Sequence, residues 1–104
     1  MDTFAALADP TRRALLDLLT QGERPAGELA AAFPDLSQPA ISRHLALLRK
    51  AGLVTVRPVA QQRRYALCPD GFAEFEGWLQ KYRAFWPDRL DRLEAYLDAT
   101  HQKG

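Results

Sequence analysis

The chain is cut into short pieces by its own backbone chemistry. It carries seven prolines and six glycines, and proline can open a helix but not sit inside one, because it lacks the amide proton and clashes with the preceding turn. Every helix before residue 70 is therefore short. Thr3–Leu7 can form one, bearing Phe4 and Leu7. Asp9-Pro10 reads as an N-cap followed by proline at the first helical position, with Ala14, Leu15, Leu18 and Leu19 at helical spacing behind it and Gly22 suited to the C-terminal cap. Pro25 opens a third helix with Leu29, Ala30 and Phe33 on its buried face, and Pro34 stops it. Ser37 caps a fourth, with Pro39 tolerated in its first turn and Gly52 at its end. Ile41, Leu45 and Leu48 fall at i, i+4 and i+7 and make one buried stripe, while Gln38, Ser42, Arg43 and Arg49 are expected on the opposite face.

Beyond Gly52 the period changes. Val54-Thr55-Val56-Arg57 and Arg63-Arg64-Tyr65-Ala66-Leu67 alternate on either side of Pro58–Gln61, which predicts a β-hairpin. The connection lacks an Asn-Gly or Asp-Gly pair, so a loose loop is expected. From Asp70 to about Ala99 the pattern is helical, with the stripe Phe72, Phe75, Leu79, Tyr82, Trp86, Leu90, Leu93, Leu97. Its steps of three and four alternate until two fours adjoin beside Pro87, which predicts a kink or break there. The expected fold class is mainly α with a small β-hairpin, in the order α-α-α-α-β-β-α.

Composition narrows the class. At 104 residues the chain has room for one domain and one core. No apolar run approaches the roughly 20 residues of a membrane helix and no leader opens the chain, so neither a membrane nor a secreted location is expected. The single cysteine, Cys68, cannot form an internal disulfide and fits a reducing cytoplasm. The formal net charge is only +1, but residues 36–69 contain no acid and six bases (Arg43, Arg49, Lys50, Arg57, Arg63, Arg64), flanked by segments richer in acids than in bases. A basic middle third is the footprint of a docked polyanion, although a solvated face with no partner also looks like this.

Two short helices joined by a tight turn, the second polar and basic outside, outline a helix-turn-helix, and the hairpin that follows makes it a winged helix. A helix fits the roughly 12 Å major groove, and its N-terminal half reaches the base edges. Gln38, Ser42 and Arg43 occupy that half: Gln suits adenine, Arg suits guanine, and Ser suits a base or phosphate. Ser37, Arg49, Arg57, Gln61, Gln62, Arg63 and Arg64 are candidates for backbone and wing contacts.

Leu7-Ala8-Asp9-Pro10-Thr11-Arg12-Arg13, Glu28-Leu29-Ala30, Ser37-Gln38-Pro39-Ala40-Ile41-Ser42-Arg43-His44-Leu45 and Leu48-Arg49-Lys50-Ala51-Gly52-Leu53-Val54, in that order, resemble the ArsR/SmtB family. The resemblance covers nearly the whole chain and implies a bacterial winged-helix repressor that binds an operator as a homodimer. The tail, with Tyr82-Arg83-Ala84-Phe85-Trp86, is similar to a branch of small autorepressors without metal sites. Two departures stand out: the turn Phe33-Pro34-Asp35-Leu36 is one residue longer than is usual and lacks the common glycine, and Pro87 falls where a continuous last helix belongs.

The positions that match the family's metal-binding cysteines are Pro25 and Gly27, which cannot coordinate, and Asp98 and His101 lack the Asp-x-His spacing of its second site. Two His and one Cys scattered along the chain do not make a four-ligand zinc centre, so no metal and no other cofactor is expected. His44 reads as a helix residue beside the core or the phosphate backbone. Cys68 reads as a small buried hydrophobe, since a redox role would need a lowered pKa and a partner thiol from another chain. No Gly-rich phosphate loop, nucleophile elbow or HExxH is present, and Glu74 and Glu76 stand two apart on a helix and face different ways, so an enzyme is not expected.

Little core remains to cover Trp86, Leu90, Leu93 and Leu97 from within; these four, joined by Phe4 and Leu7, are assigned to a two-fold dimer interface. Residues 1–104 then form a single winged-helix DNA-binding domain, with residues 1–8 and 70–99 contributing the dimerisation helices. The expected partners are double-stranded operator DNA and a second copy of the chain. Two rival readings stay open: a sensor repressor of the same fold answering a metal, an oxidant or a ligand, and a winged helix used only to bind other proteins.

Overall fold

The computed structural model describes residues 2–85, which fall into two compact units, one ending at Glu74 and the other opening at Phe75.

Helix α1 (Thr3–Leu7) has only five residues, too few to stand alone. Asp2 caps its start, accepting from the Ala5 amide at 2.7 Å. Its last carbonyls are taken by guanidinium groups: Arg12 donates Nε to Ala6 at 2.8 Å and Nη2 to Ala5 at 3.1 Å, and Arg13 donates Nη1 to Leu7 at 2.7 Å. Both arginines belong to α2 (Pro10–Leu19), so the start of one helix satisfies the orphan acceptors of another. Asp9 caps α2 as expected, accepting from the Arg12 amide at 3.0 Å.

The third helix, α3 (Ala26–Ala31), starts one residue later than expected, because Arg24–Pro25 form a short strand, β1. Helix α4 (Gln38–Lys50) is capped by Ser37, whose Oγ accepts from the Ala40 amide at 3.2 Å. It ends in a Schellman motif: the Gly52 amide donates to Arg49 and the Leu53 amide to Leu48, each at 3.0 Å. The motif needs a left-handed residue, and Gly52 supplies it at φ +81°. Leu53, the next residue, is fully buried.

Strands β2 (Val54–Val59) and β3 (Gln62–Leu67) pair antiparallel, and β1 adds to the far side of β3, giving the order β1-β3-β2. This corrects the expected two-stranded hairpin. The connection is also tighter than expected: Val59 pairs with Gln62, leaving only Ala60 and Gln61 between the strands. Ala60 takes φ +56°, a conformation usually signalled by glycine or asparagine, so the sequence carries no mark of it. Pro58 is tolerated because β2 is an edge strand.

The core of the first unit gathers Leu15, Leu16 and Leu19 of α2, Leu29 of α3, Ile41, Leu45 and Leu48 of α4, and Leu53, Val54 and Tyr65 around the sheet. The stripe of α4 is the predicted one. That of α2 is rotated, burying Leu16 and leaving Leu18 only partly covered. Past β3 the Cys68 amide donates to the Leu53 carbonyl at 2.9 Å and its carbonyl accepts from the Gly71 amide at 3.0 Å. Pro69–Phe72 is thus a 3₁₀ turn, and the helix expected from Asp70 begins at Ala73. Thr3 Oγ1 donates to the Gly71 carbonyl at 3.4 Å.

In the second unit the described residues are carried by α5 (Ala73–Arg83), followed by a turn at Ala84-Phe85. The rings of Phe75 and Trp78 lie 6.1 Å apart and those of Trp78 and Tyr82 4.8 Å apart. No residue of α5 is buried. The expected break at Pro87, the stripe residues Trp86, Leu90, Leu93 and Leu97, and the pair Asp98 and His101 lie outside the described residues.

Candidate nucleic-acid interface

Burial of Ile41, Leu45 and Leu48 fixes the rotation of α4 about its own axis and leaves Gln38, Ser42, Arg43 and Arg49 all exposed. They do not share one face, which refines the sequence reading. At about 100° per residue, Gln38, Ser42 and Arg49 fall within an arc of about 40°, and Arg43 stands about 100° further round on the outer surface. Ser42 and Arg49 look toward β3 across a groove of about 500 Å³ that Leu45, Lys50, Arg63 and Tyr65 also line. The opposite flank of α4 carries His44, whose Nδ1 lies 3.4 Å from Arg12 Nη1 and 3.9 Å from Asp9 Oδ2. His44 therefore ties α4 to the start of α2, in keeping with a residue beside the core. The Asp9 carboxyl is held below its ordinary range first by the Arg12 amide and then by the charges of His44 and Arg12.

The three arginines assigned to the wing are divided. Neighbouring residues of a strand point to opposite faces. Arg63 shares its face with Tyr65 and lines the groove beside α4. Arg64 points the other way, opposite its cross-strand partner Arg57. Two guanidinium groups directly opposed would repel, and Glu23 resolves this. Arg57 donates Nε to Glu23 Oε2 at 2.8 Å and Nη2 to Oε1 at 2.9 Å, while Arg64 donates Nε to Oε1 at 2.7 Å. These bonds, Arg57 first and Arg64 second, hold the Glu23 carboxyl below its ordinary range and raise Arg57 further. Arg64 Nη1 also donates to Gln62 Oε1 at 3.2 Å. Gln61 and Gln62 are exposed at the tip of the hairpin, facing Pro25–Glu28 across a second groove that Arg63 also lines.

Sequence reasoning missed Glu23. It stands thirteen residues outside the acid-free segment and reaches the wing because β1, which follows it, pairs Arg24 with Tyr65. Reading Arg24-Pro25 as a strand rather than a helix start would have been the signal.

Phe4 and Leu7, assigned to a dimer interface, are half-buried, and Leu7 packs against its own core, because Arg12 and Arg13 pin α1 to α2. Pro25 and Gly27 offer no donor side chain, and among the described residues no group of three His, Cys, Asp or Glu could hold a metal ion. No helix among the described residues is long and apolar enough to cross a membrane.

The helix-turn-helix domain family matches residues 7–57, a span that runs from the end of α1 into β2. The chain is 40% identical over 96 residues to the HTH-type transcriptional regulator Rv2034 of Mycobacterium tuberculosis, covering 92% of this chain and 86% of the relative. It is 35% identical over 81 residues to the transcriptional repressor SdpR of Bacillus subtilis, covering 78% and 89%. The crystal structure of the ArsR family transcriptional regulator RHA00566 superposes with a TM-score of 0.72 at 34% identity, covering 81% of this chain and 86% of that one.

Proposed function

The chain belongs to the ArsR family of helix-turn-helix transcriptional regulators, and from that premise we propose that it is a homodimeric repressor which occludes a promoter by covering an inverted-repeat operator. Gln38, Ser42 and Arg43 read base edges in the major groove. Arg49 and the wing, with Gln61, Gln62 and Arg63, follow the sugar-phosphate backbone. The observation that carries this reading is the exposed N-terminal half of α4, set beside a groove whose lining gathers Arg49, Lys50 and Arg63 without an acid.

Dimerisation is supported by Phe85, an aromatic side chain 79% exposed just after α5. The second unit is, in this reading, the pairing device of one DNA-binding module. Two copies place two α4 helices about one DNA turn apart, roughly 34 Å, and read a palindrome that one copy could not. The chain works in the cytoplasm, and no metal or cofactor takes part, because the positions that would supply cysteine ligands hold Pro25 and Gly27.

Selection of bound fragments from a random duplex pool tests the reading. Recovered sequences with two-fold symmetry and half-sites about ten base pairs apart support it. Asymmetric sites, or no retention of any duplex at about 50 mM salt, refute the dimeric repressor and favour a protein-interaction module.

A further inference from the structure

We propose that Glu23 decides which side of the wing meets DNA: its carboxylate ties off Arg57 and Arg64, so that the wing delivers its charge to the phosphate backbone through Arg63, in the groove shared with Arg49 and Lys50. The proposal rests on the DNA-binding reading above and assigns a positioning role to a residue outside the helix-turn-helix.

Three observations support it. Both oxygens of Glu23 are engaged, by three N–H donors at 2.7–2.9 Å, in a fork that a single guanidinium–phosphate contact would have to displace. Only a quarter of the Glu23 side chain is exposed, and Arg64 is nearly as covered at 29%, so this carboxylate is held by the fold rather than waving in solvent. The strand pleat sends Arg63 to the face that looks onto α4 and Arg64 to the face that holds Glu23. A phosphate approaching Arg57 and Arg64 meets a fixed negative charge between them. One approaching Arg63 through the groove beside α4 meets Arg49 and Lys50.

The test is the salt dependence of binding to a duplex of random sequence, using the full chain and the variants Arg57→Ala, Arg63→Ala and Glu23→Gln. Each phosphate contact contributes about 0.9 to the slope of log affinity against log salt. Arg57→Ala and Arg63→Ala remove the same formal charge, so a difference between them reports contact. The expected result is a slope lowered by about 0.9 in Arg63→Ala and unchanged in Arg57→Ala. Glu23→Gln, which frees the arginine pair, is expected to bind more tightly, with a slope steeper by about 0.9 for each of the two arginines that then reaches a phosphate. Equal slopes for Arg57→Ala and Arg63→Ala would overturn the proposal, as would weaker binding by a Glu23→Gln chain that is still folded at the assay temperature. Should Glu23→Gln fail to fold, the comparison of the two arginine variants decides. A wild-type chain that binds no duplex at about 50 mM salt overturns the DNA-binding reading itself, a distinct result.

Discussion

Gly71 approaches Gly52 so closely that a Cβ built on Gly71 would overlap the Gly52 carbonyl. The contact joins the 3₁₀ turn that precedes α5 to the loop that ends α4, and both partners are backbone, which cannot swing aside. Gly71→Ala is therefore expected to cost about 1–3 kcal/mol of stability, the usual range for overpacking. Gly77→Ala is the control. Gly77 is helical and a Cβ there meets nothing within 4 Å, so this change is expected to stabilise by about 0.5–1 kcal/mol. Denaturant unfolding of the two variants beside the parent checks both signs.

The wing turn contains a correctable strain. Ala60 holds φ +56°, a conformation that costs an L-residue about 1–2 kcal/mol. Glycine relieves this but loses more freedom on folding. Ala60→Gly is expected to raise stability by up to about 1 kcal/mol net, and Ala60→Val to lower it, as read from the midpoints of thermal unfolding.

Acid should weaken the fold through two carboxylates. Asp9 and Glu23 are each held below their ordinary values of 3.8 and 4.5. A depressed pKa means that the folded state favours the ionised form, so the contribution is present in full above the ordinary value. It disappears as pH falls through the lower, folded value. Asp9→Asn and Glu23→Gln are expected to be less stable than the parent at pH 7 but to lose less between pH 5 and pH 2. Parallel pH profiles for all three chains would contradict this assignment.

Ser37 and Arg43 lie six residues apart at the start of α4 and should fail differently. Ser37 Oγ is committed to the Ala40 amide, so Ser37→Ala is expected to lower stability by about 1 kcal/mol. Arg43 is exposed and makes no contact that the fold requires, so Arg43→Ala should leave unfolding unchanged. It should instead cost about 1–3 kcal/mol at the cognate operator and flatten base preference at one position. Titration of both variants on cognate and altered duplexes separates the two effects.

How much of this was legible in the sequence depends on how local the governing physics was. The α4 stripe, the Asp9 and Ser37 caps and the stop at Gly52 are set by residues within a turn of one another, and each could be read directly. Strand β1 could not. Two residues, one of them proline, carry no period, and they become a strand only because β3 lies beside them. The consequence reaches the site: with Pro25 taken as a helix start, nothing in the sequence brings Glu23 to the wing, and Arg57, Arg63 and Arg64 look equivalent. The tight turn was hidden for the opposite reason. Ala60 adopts a glycine-like conformation imposed by the pairing of Val59 with Gln62.

Arg63 and Arg64 are consecutive residues, yet one lines the channel beside α4 and the other is locked to Glu23. Their assignment depends on strand parity alone. Lengthening the connection at Ala60-Gln61 and slipping β3 by a single residue would exchange the pair, turning Arg64 outward and handing Arg63 to the carboxylate. With an uncharged insertion the net charge would be untouched. In this protein a two-residue bend works as a polarity selector.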